Sequence, residues 1–272
     1  MTPERSQEIA GLADAVAEMY STASRTIDPA EVARAVGLTY STGRYGDCFD
    51  GLLEWNSSRF HIYLNKDLGS EPESPRGRFT LCHELGHFCL EEHRWALMSS
   101  VAPHGSLTDF RSDNAAEREA DMFASNLLLP TERVRKTVGA RDVGAPLIVE
   151  TARHFGASLS ATAIRIARLG LSPLIVMAWD GEYRRWCWSS ADFEAITRNM
   201  SYRSLEKIPS DSLTREFITR GPLLEGAVDA KGTTLGTWFP RIHPLSPNNT
   251  IMVEEVIGLG RFGVMTVLRP DK

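Results

Sequence analysis

Five consecutive residues, His83-Glu84-Leu85-Gly86-His87, limit what this chain can fold into more than any other stretch, because they spell H-E-x-x-H inside a run that reads as a helix. Helical spacing sets His83 and His87 one turn apart on one face, so two imidazoles can grip one zinc ion while Glu84 lies beside it. Leu81, Cys82, Leu85, Phe88 and Cys89 supply an apolar back to that face, and Gly86 leaves room for another element to come close. Glu84 is spaced as a general base. It takes a proton from an attacking water that the metal makes more acidic, and passes it to the leaving amine. The reaction class is hydrolysis of a peptide or similar amide.

A catalytic zinc site generally uses three protein ligands and keeps one position open, so the two histidines require one more donor. The run Ala116-Glu117-Arg118-Glu119-Ala120-Asp121, continuing through Met122-Phe123-Ala124-Ser125-Asn126-Leu127-Leu128-Leu129 to Pro130, reads as a second helix closed by proline. It offers two carboxylates. Glu117 and Asp121 stand at i and i+4, so Glu117 is assigned as third ligand and Asp121 as the acceptor of a metal-bound histidine's free ring N–H. Glu119 lies about 200° around the helix from Glu117, which suits a solvated or salt-bridged role, and it remains the second candidate. Zinc suits a His/His/carboxylate set; manganese or iron can use the same donors.

Arg78-Phe79-Thr80-Leu81-Cys82-His83-Glu84-Leu85-Gly86-His87, followed by Glu117 to Ala124 and Leu127-Leu128-Leu129-Pro130, resembles the ImmA/IrrE metallopeptidases over roughly residues 5–170. The resemblance implies a gluzincin-like protease that cleaves a partner helix-turn-helix repressor and so releases its operon. It implies zinc on His83, His87 and Glu117, with Glu84 as the base. Asp121 departs from the asparagine common in that family, but either side chain can accept a hydrogen bond from histidine. The circuits served by such proteases include stress responses, mobile-element induction and, for some members, anti-phage defence with single-stranded DNA as the proposed signal; single-stranded DNA or a small molecule is the activator expected for this chain.

The formal charge of −5 argues against a chain-wide basic field for nucleic acid. No basic start with an apolar core opens the sequence and no apolar run reaches the length of a membrane span, so a cytoplasmic protein without membrane partners is expected. Cys48, Cys82, Cys89 and Cys187 show no C-x-x-C spacing. Cys82 and Cys89 are expected in the core. Cys48 precedes an expected strand that, as the resemblance implies, borders the substrate cleft, where a thiolate could occupy zinc's open position and hold the enzyme latent.

The expected fold is α+β: a mainly helical, zincin-like peptidase domain with a small sheet over residues 1–171, then a smaller α+β domain over 172–272, for which a GAF-like sensory domain is the analogy. Helices are expected over 4–24 and from Asp28-Pro29, and strands at 51–55 and 60–64, whose sheet edge can pair with substrate backbone. Residues 93–113 are expected to form a loop over the cleft; His93 and His104 within it, and Tyr63, are candidate oxyanion donors. Residues 147–169 resemble a helix-turn-helix, with Arg153, Arg165 and Arg168 as candidate phosphate contacts.

Beyond Pro173, a hairpin turning at Asp180-Gly181 is followed by expected strands near 222–229, 234–240, 250–258 and 261–268. Trp179, Tyr183, Trp186, Trp188, Trp238 and Phe239 are candidates for a ligand pocket or for stacking on single-stranded nucleic acid, against packing on the sheet. The reading is a zinc endopeptidase acting on a helix-turn-helix repressor. Its rivals are a DNA-binding regulator using residues 147–169 and a single-stranded DNA or ligand sensor that acts without proteolysis.

Overall fold

Several helix starts are written in the chain as a capping residue followed by proline: Thr2-Pro3, Asp28-Pro29 and Ser74-Pro75. A computed structural model describes residues 1–20, 26–99, 104–106, 114–197, 205–221, 224–239 and 249–271, with 104–106 described by backbone alone. Its elements are α1 (Pro3–Met19), α2 (Pro29–Ala35), β1 (Thr39–Gly43), β2 (Gly51–Trp55), β3 (Phe60–Asn65), α3 (Pro75–Cys89), α4 (Glu91–Ser99), β4 (His104–Ser106), α5 (Ala115–Leu128) and α6 (Thr131–Val138). They continue with α7 (Ala145–Phe155), α8 (Leu159–Arg168), β5 (Ile175–Asp180), β6 (Tyr183–Ser189), α9 (Ala191–Thr197), α10 (Leu213–Thr219), β7 (Val228–Thr234), α11 (Leu235–Trp238), β8 (Ile251–Gly258) and β9 (Val264–Pro270). The chain divides into two compact units, Met1–Arg133 with Arg153–Ser158, and Val134–Ala152 with Leu159–Lys272.

In the first unit α3 is the central element, with Phe79 through His87 all buried. A helix enclosed on every side needs a small residue where its neighbour crosses. Gly86 is that residue: a Cβ there would stand 3.2 Å from Ala120 Cα and 3.2 Å from Phe123 Cβ of α5. The sheet runs β1-β3-β2-β4, with β1 parallel to β3 and β2 antiparallel to both its neighbours. Strands β2 and β3 fall where the sequence predicts them, and β4 adds a further edge. Residues 93–99, expected within a connecting loop, belong to helix α4 instead; 100–103 and 107–113 of that expected loop lie outside the described residues.

Arg78 has a structural use. Its guanidinium donates to the carbonyl oxygens of Ile27 at 2.6 Å and Gly156 at 3.0 Å, fastening the turn before α2 and the turn after α7 to the motif helix. Hydrogen bonds from a charged donor contribute about 1.5–3 kcal/mol each in favourable settings. Asp14 of α1 similarly accepts from the backbone N–H and hydroxyl of Thr131 at the start of α6, at 3.0 and 2.7 Å.

The second unit is built on an antiparallel sheet of order β6-β5-β9-β8-β7. The expected β5–β6 hairpin forms, turning at Gly181-Glu182, one residue beyond the expected Asp180-Gly181, with Gly181 at φ 55°. One sheet face carries Ile175, Met177, Trp179, Val256 and Leu268, packed with Phe193 of α9, Leu213 of α10 and Leu235 and Trp238 of α11. The expected strands at 222–229 and 234–240 are replaced by one strand, β7, followed by α11. The Thr234 hydroxyl accepts from the Thr237 N–H and starts a helical turn that delivers Leu235 and Trp238 to the core; residues 222, 223 and 240 lie outside the described set.

The pocket reading of the aromatic residues is corrected in part. Trp179, Trp238 and Phe239 are fully buried core, and the Trp179 indole donates to Thr266 Oγ1 at 2.9 Å. Buried Glu254 accepts from Thr214 N, Thr214 Oγ1 and Trp238 Nε1, and burial pushes its pKa up. Both units combine helices with a sheet, and the fold is α+β. No helix among the described residues is long and apolar enough to cross a membrane.

Candidate metal centre

Helix α3 projects His83, Glu84 and His87, and α5 projects Glu117 and Asp121, so the contact through Gly86 sets how the donors meet. His83 Nε2 and His87 Nε2 lie 3.1 Å apart; Glu117 Oε2 is 3.2 Å from the first and Glu117 Oε1 3.3 Å from the second. Zinc bonds of about 2.0–2.1 Å in tetrahedral geometry correspond to donor separations of about 3.3–3.4 Å. The three residues thus fit a small divalent cation and form a buried metal-competent group. Helical periodicity explains the choice of carboxylate. Glu117 faces α3, while Glu119 turns away and receives Arg5 Nη2 at 2.7 Å, which holds its carboxyl below the usual range.

The electrostatics favour a cation at this point. Burial alone lowers the pKa of His83, but hydrogen bonds to Asp121 and Glu117, with the charge of Glu84 adding, outweigh it and push it up to about 10. Asp121 Oδ1 lies 2.9 Å from His83 Nδ1, on the ring edge facing away from Glu117. On the other histidine, Nδ1 lies 3.1 Å from His93 Nδ1 of α4, and burial lowers the pKa of His93.

Glu84 is fully buried, and its surroundings include a residue the motif did not mark. Gly51, the first residue of β2, passes so close that a Cβ there would stand 2.6 Å from Glu84 Oε1 and 2.5 Å from Thr80 Cγ2. A glycine opening an otherwise apolar strand is the sequence signal for such an approach. Gly51→Ala is expected to displace the Glu84 carboxylate, costing about 1–3 kcal/mol of stability by overpacking. With Glu84 as the general base that the sequence reading assigns, turnover should fall about 100-fold, the cost of ångström-scale misplacement of a reacting group. Metal content, measured by atomic absorption alongside peptide hydrolysis, should stay at the parent level.

The remaining candidates are dispersed. Cys48 is exposed on a turn braced by Asn65, whose Nδ2 donates to the carbonyls of Gly46 and Phe49 at 2.8 and 2.7 Å; it is not in the donor group. The Tyr63 hydroxyl donates to Glu54 at 3.0 Å. The side chain of His104 lies outside the described residues. Arg165 is buried, and Arg168 sits over the Trp188 ring at 4.0 Å, so neither is presented as a free phosphate contact. His93, weighed as an oxyanion donor, stands instead behind His87.

Residues 50–167 match the family model described as the IrrE N-terminal-like domain, Peptidase_M78. Among solved structures, the chain is similar to a Mycobacterium tuberculosis transcriptional regulator, with 12% identity, 98% of this chain and 78% of that chain covered, and a TM-score of 0.60. That is a likeness of fold. No curated protein matches the chain. The matched stretch contains every residue of the buried His-His-Glu group and the glutamate beside it, and with it the chain carries an IrrE N-terminal-like domain of the ImmA/IrrE metallopeptidase family.

Proposed function

We propose that this chain is a zinc-dependent endopeptidase that cleaves a helix-turn-helix transcriptional repressor and thereby releases an operon for stress response, mobile-element transfer or anti-phage defence. The observation that carries this reading is the meeting of His83 Nε2, His87 Nε2 and Glu117 beside buried Glu84, inside an IrrE-like domain. We assign His83, His87 and Glu117 as metal ligands, Glu84 as general base, and Asp121 as the anchor of His83. Peptidase activity is assigned to residues 1–171 and its regulation to 172–272, with single-stranded DNA or a small molecule as activator. The similarity of fold to a transcriptional regulator agrees with a role in gene control.

Bound zinc supplies a Lewis acid that acidifies an attacking water and polarises the scissile carbonyl. The chain does the rest. Glu84 accepts the proton and delivers it to the leaving amine. Asp121 accepts from His83 Nδ1–H and so keeps the Nε2 lone pair directed at the ion. The bare backbone of Gly51 leaves the Glu84 carboxylate its place beneath β2. Manganese or iron are the alternative ions for the same donors.

The DNA-binding rival is disfavoured by the burial of Arg165 and the stacking of Arg168 on Trp188. The test is direct. The full chain is incubated with candidate helix-turn-helix repressors, any encoded in a neighbouring gene first, with zinc, with chelator, and with single-stranded DNA added. Mass spectrometry should find one repressor cleavage that depends on zinc; an intact repressor under all conditions, including zinc with DNA, overturns the proposal.

A further inference from the structure

The outer side of His87 opens onto a chain of polar groups that the proposed reaction does not use. His87 Nδ1 lies 3.1 Å from His93 Nδ1, and His93 Nε2 lies 3.3 Å from Glu119 Oε2. That oxygen receives Arg5 Nε at 3.1 Å and Arg5 Nη2 at 2.7 Å. Arg5 also reaches Glu8 and Glu92, at 3.0 and 3.3 Å. The chain therefore joins α1, α4 and α5 behind a single ring of α3.

We infer that His93 is a positioning residue for His87, held by Glu119 and Arg5 and selecting the His87 tautomer that can ligate a metal. This rests on the proposed assignment of His87 as a ligand, and the chemistry runs inward from the arginine. Arg5 can only donate, so Glu119 is held as an acceptor-only carboxylate. Facing it, His93 Nε2 must carry its ring proton, which leaves Nδ1 of the neutral ring as a bare lone pair. Two ring nitrogens 3.1 Å apart bond only when one of them holds the hydrogen. That hydrogen then belongs to His87 Nδ1, and His87 Nε2 is left as a lone pair facing His83 Nε2 and Glu117.

The two ligand histidines are thus oriented by different means. His83 meets a carboxylate directly, whereas His87 meets one through an intervening imidazole. The same carboxylate that helical geometry excludes from the metal, Glu119, becomes the far end of the device that orients the metal's second ligand.

Zinc affinity is measured by chelator competition on the full chain, with the unfolding of each metal-free variant followed to confirm its fold. His93→Leu should weaken zinc binding about 10–100-fold, the range seen when the outer partner of a ligand histidine is lost. His93→Gln, whose carbonyl oxygen can accept from His87 Nδ1–H, should recover most of that loss. Glu119→Ala should weaken binding less, and should add nothing in a His93→Leu background, since it acts through His93. A folded His93→Leu protein with parental zinc affinity, or an additive double variant, overturns the inference.

A measurement on the parent chain needs no substitution. With histidine labelled by ¹⁵N, the zinc-loaded protein should show His87 protonated at Nδ1 and His93 at Nε2, and the opposite tautomer at His93 overturns the inference. If the parent binds zinc and loses it on His87→Ala, the ligand reading stands whatever His93 does. If the parent binds no zinc, the ligand reading itself fails.

Discussion

Glu84→Gln is expected to bind metal as the parent does and to lose about 10²–10⁴-fold in turnover, the share of catalysis that a positioned acid–base group supplies. Glutamine keeps the size of the buried side chain, so the close approach of Gly51 is preserved. What disappears is the ability to take up and return a proton. Metal content and melting behaviour should therefore match the parent while cleavage of a repressor or reporter peptide collapses. Turnover within a few-fold of the parent in a fully metal-loaded variant would remove Glu84 from the chemistry. The Gly51→Ala variant tests the same carboxylate from outside: one variant removes the group, the other moves it.

Glu117→Ala is expected to bring metal content after dialysis from about one ion per chain to a small fraction, because two imidazoles alone make an incomplete site. Activity should vanish with the ion, and excess zinc should restore little of it. Glu119→Ala gives the contrast. Its carboxylate is two residues away on the same helix yet faces Arg5, so the ion should stay, held somewhat less tightly. Inductively coupled plasma measurement on both variants decides between them. Metal retained in Glu117→Ala and lost in Glu119→Ala would reverse the assignment.

How much of this was legible depended on how far apart in sequence the interacting residues stand. His83, Glu84 and His87 are neighbours on one turn, and periodicity alone places them. Counting donors and helical turns places Glu117 and Asp121 on the face toward the motif helix and turns Glu119 away from it. The His87–His93–Glu119–Arg5 chain was not legible. Its links lie on α1, α3, α4 and α5, and only tertiary packing brings them together. Gly51 left the faint signal of a glycine at a strand start, but its partner Glu84 could be known only from the packing of β2 over α3.

In the second unit, apolar runs and the turn signal at Asp180-Gly181 mark β5, β6, β8 and β9, whereas the same kind of reading gives a strand at residues 235–238. There a threonine cap and the burial of Trp238 favour a helical turn over an extended strand. The aromatic cluster was divided by the same packing. Trp179 and Trp238 fill the core with ring centroids 6.0 Å apart, leaving Tyr183, Trp186 and Trp188 on or near the surface.

The contact of Gly86 with α5 has a consequence for ion discrimination. The proposed ligands sit on two helices, so the bore of the site is gauged by helix separation, and that separation is set where residue 86 has no side chain against Ala120 and Phe123. Ions with bonds of about 2.0–2.1 Å and those needing about 2.3–2.6 Å differ by less than the width of one methyl group. An atom added at position 86 would widen the gauge without touching any donor. On the proposed ligand assignment, a preference of this centre for a small ion would be inherited from a residue that never meets it.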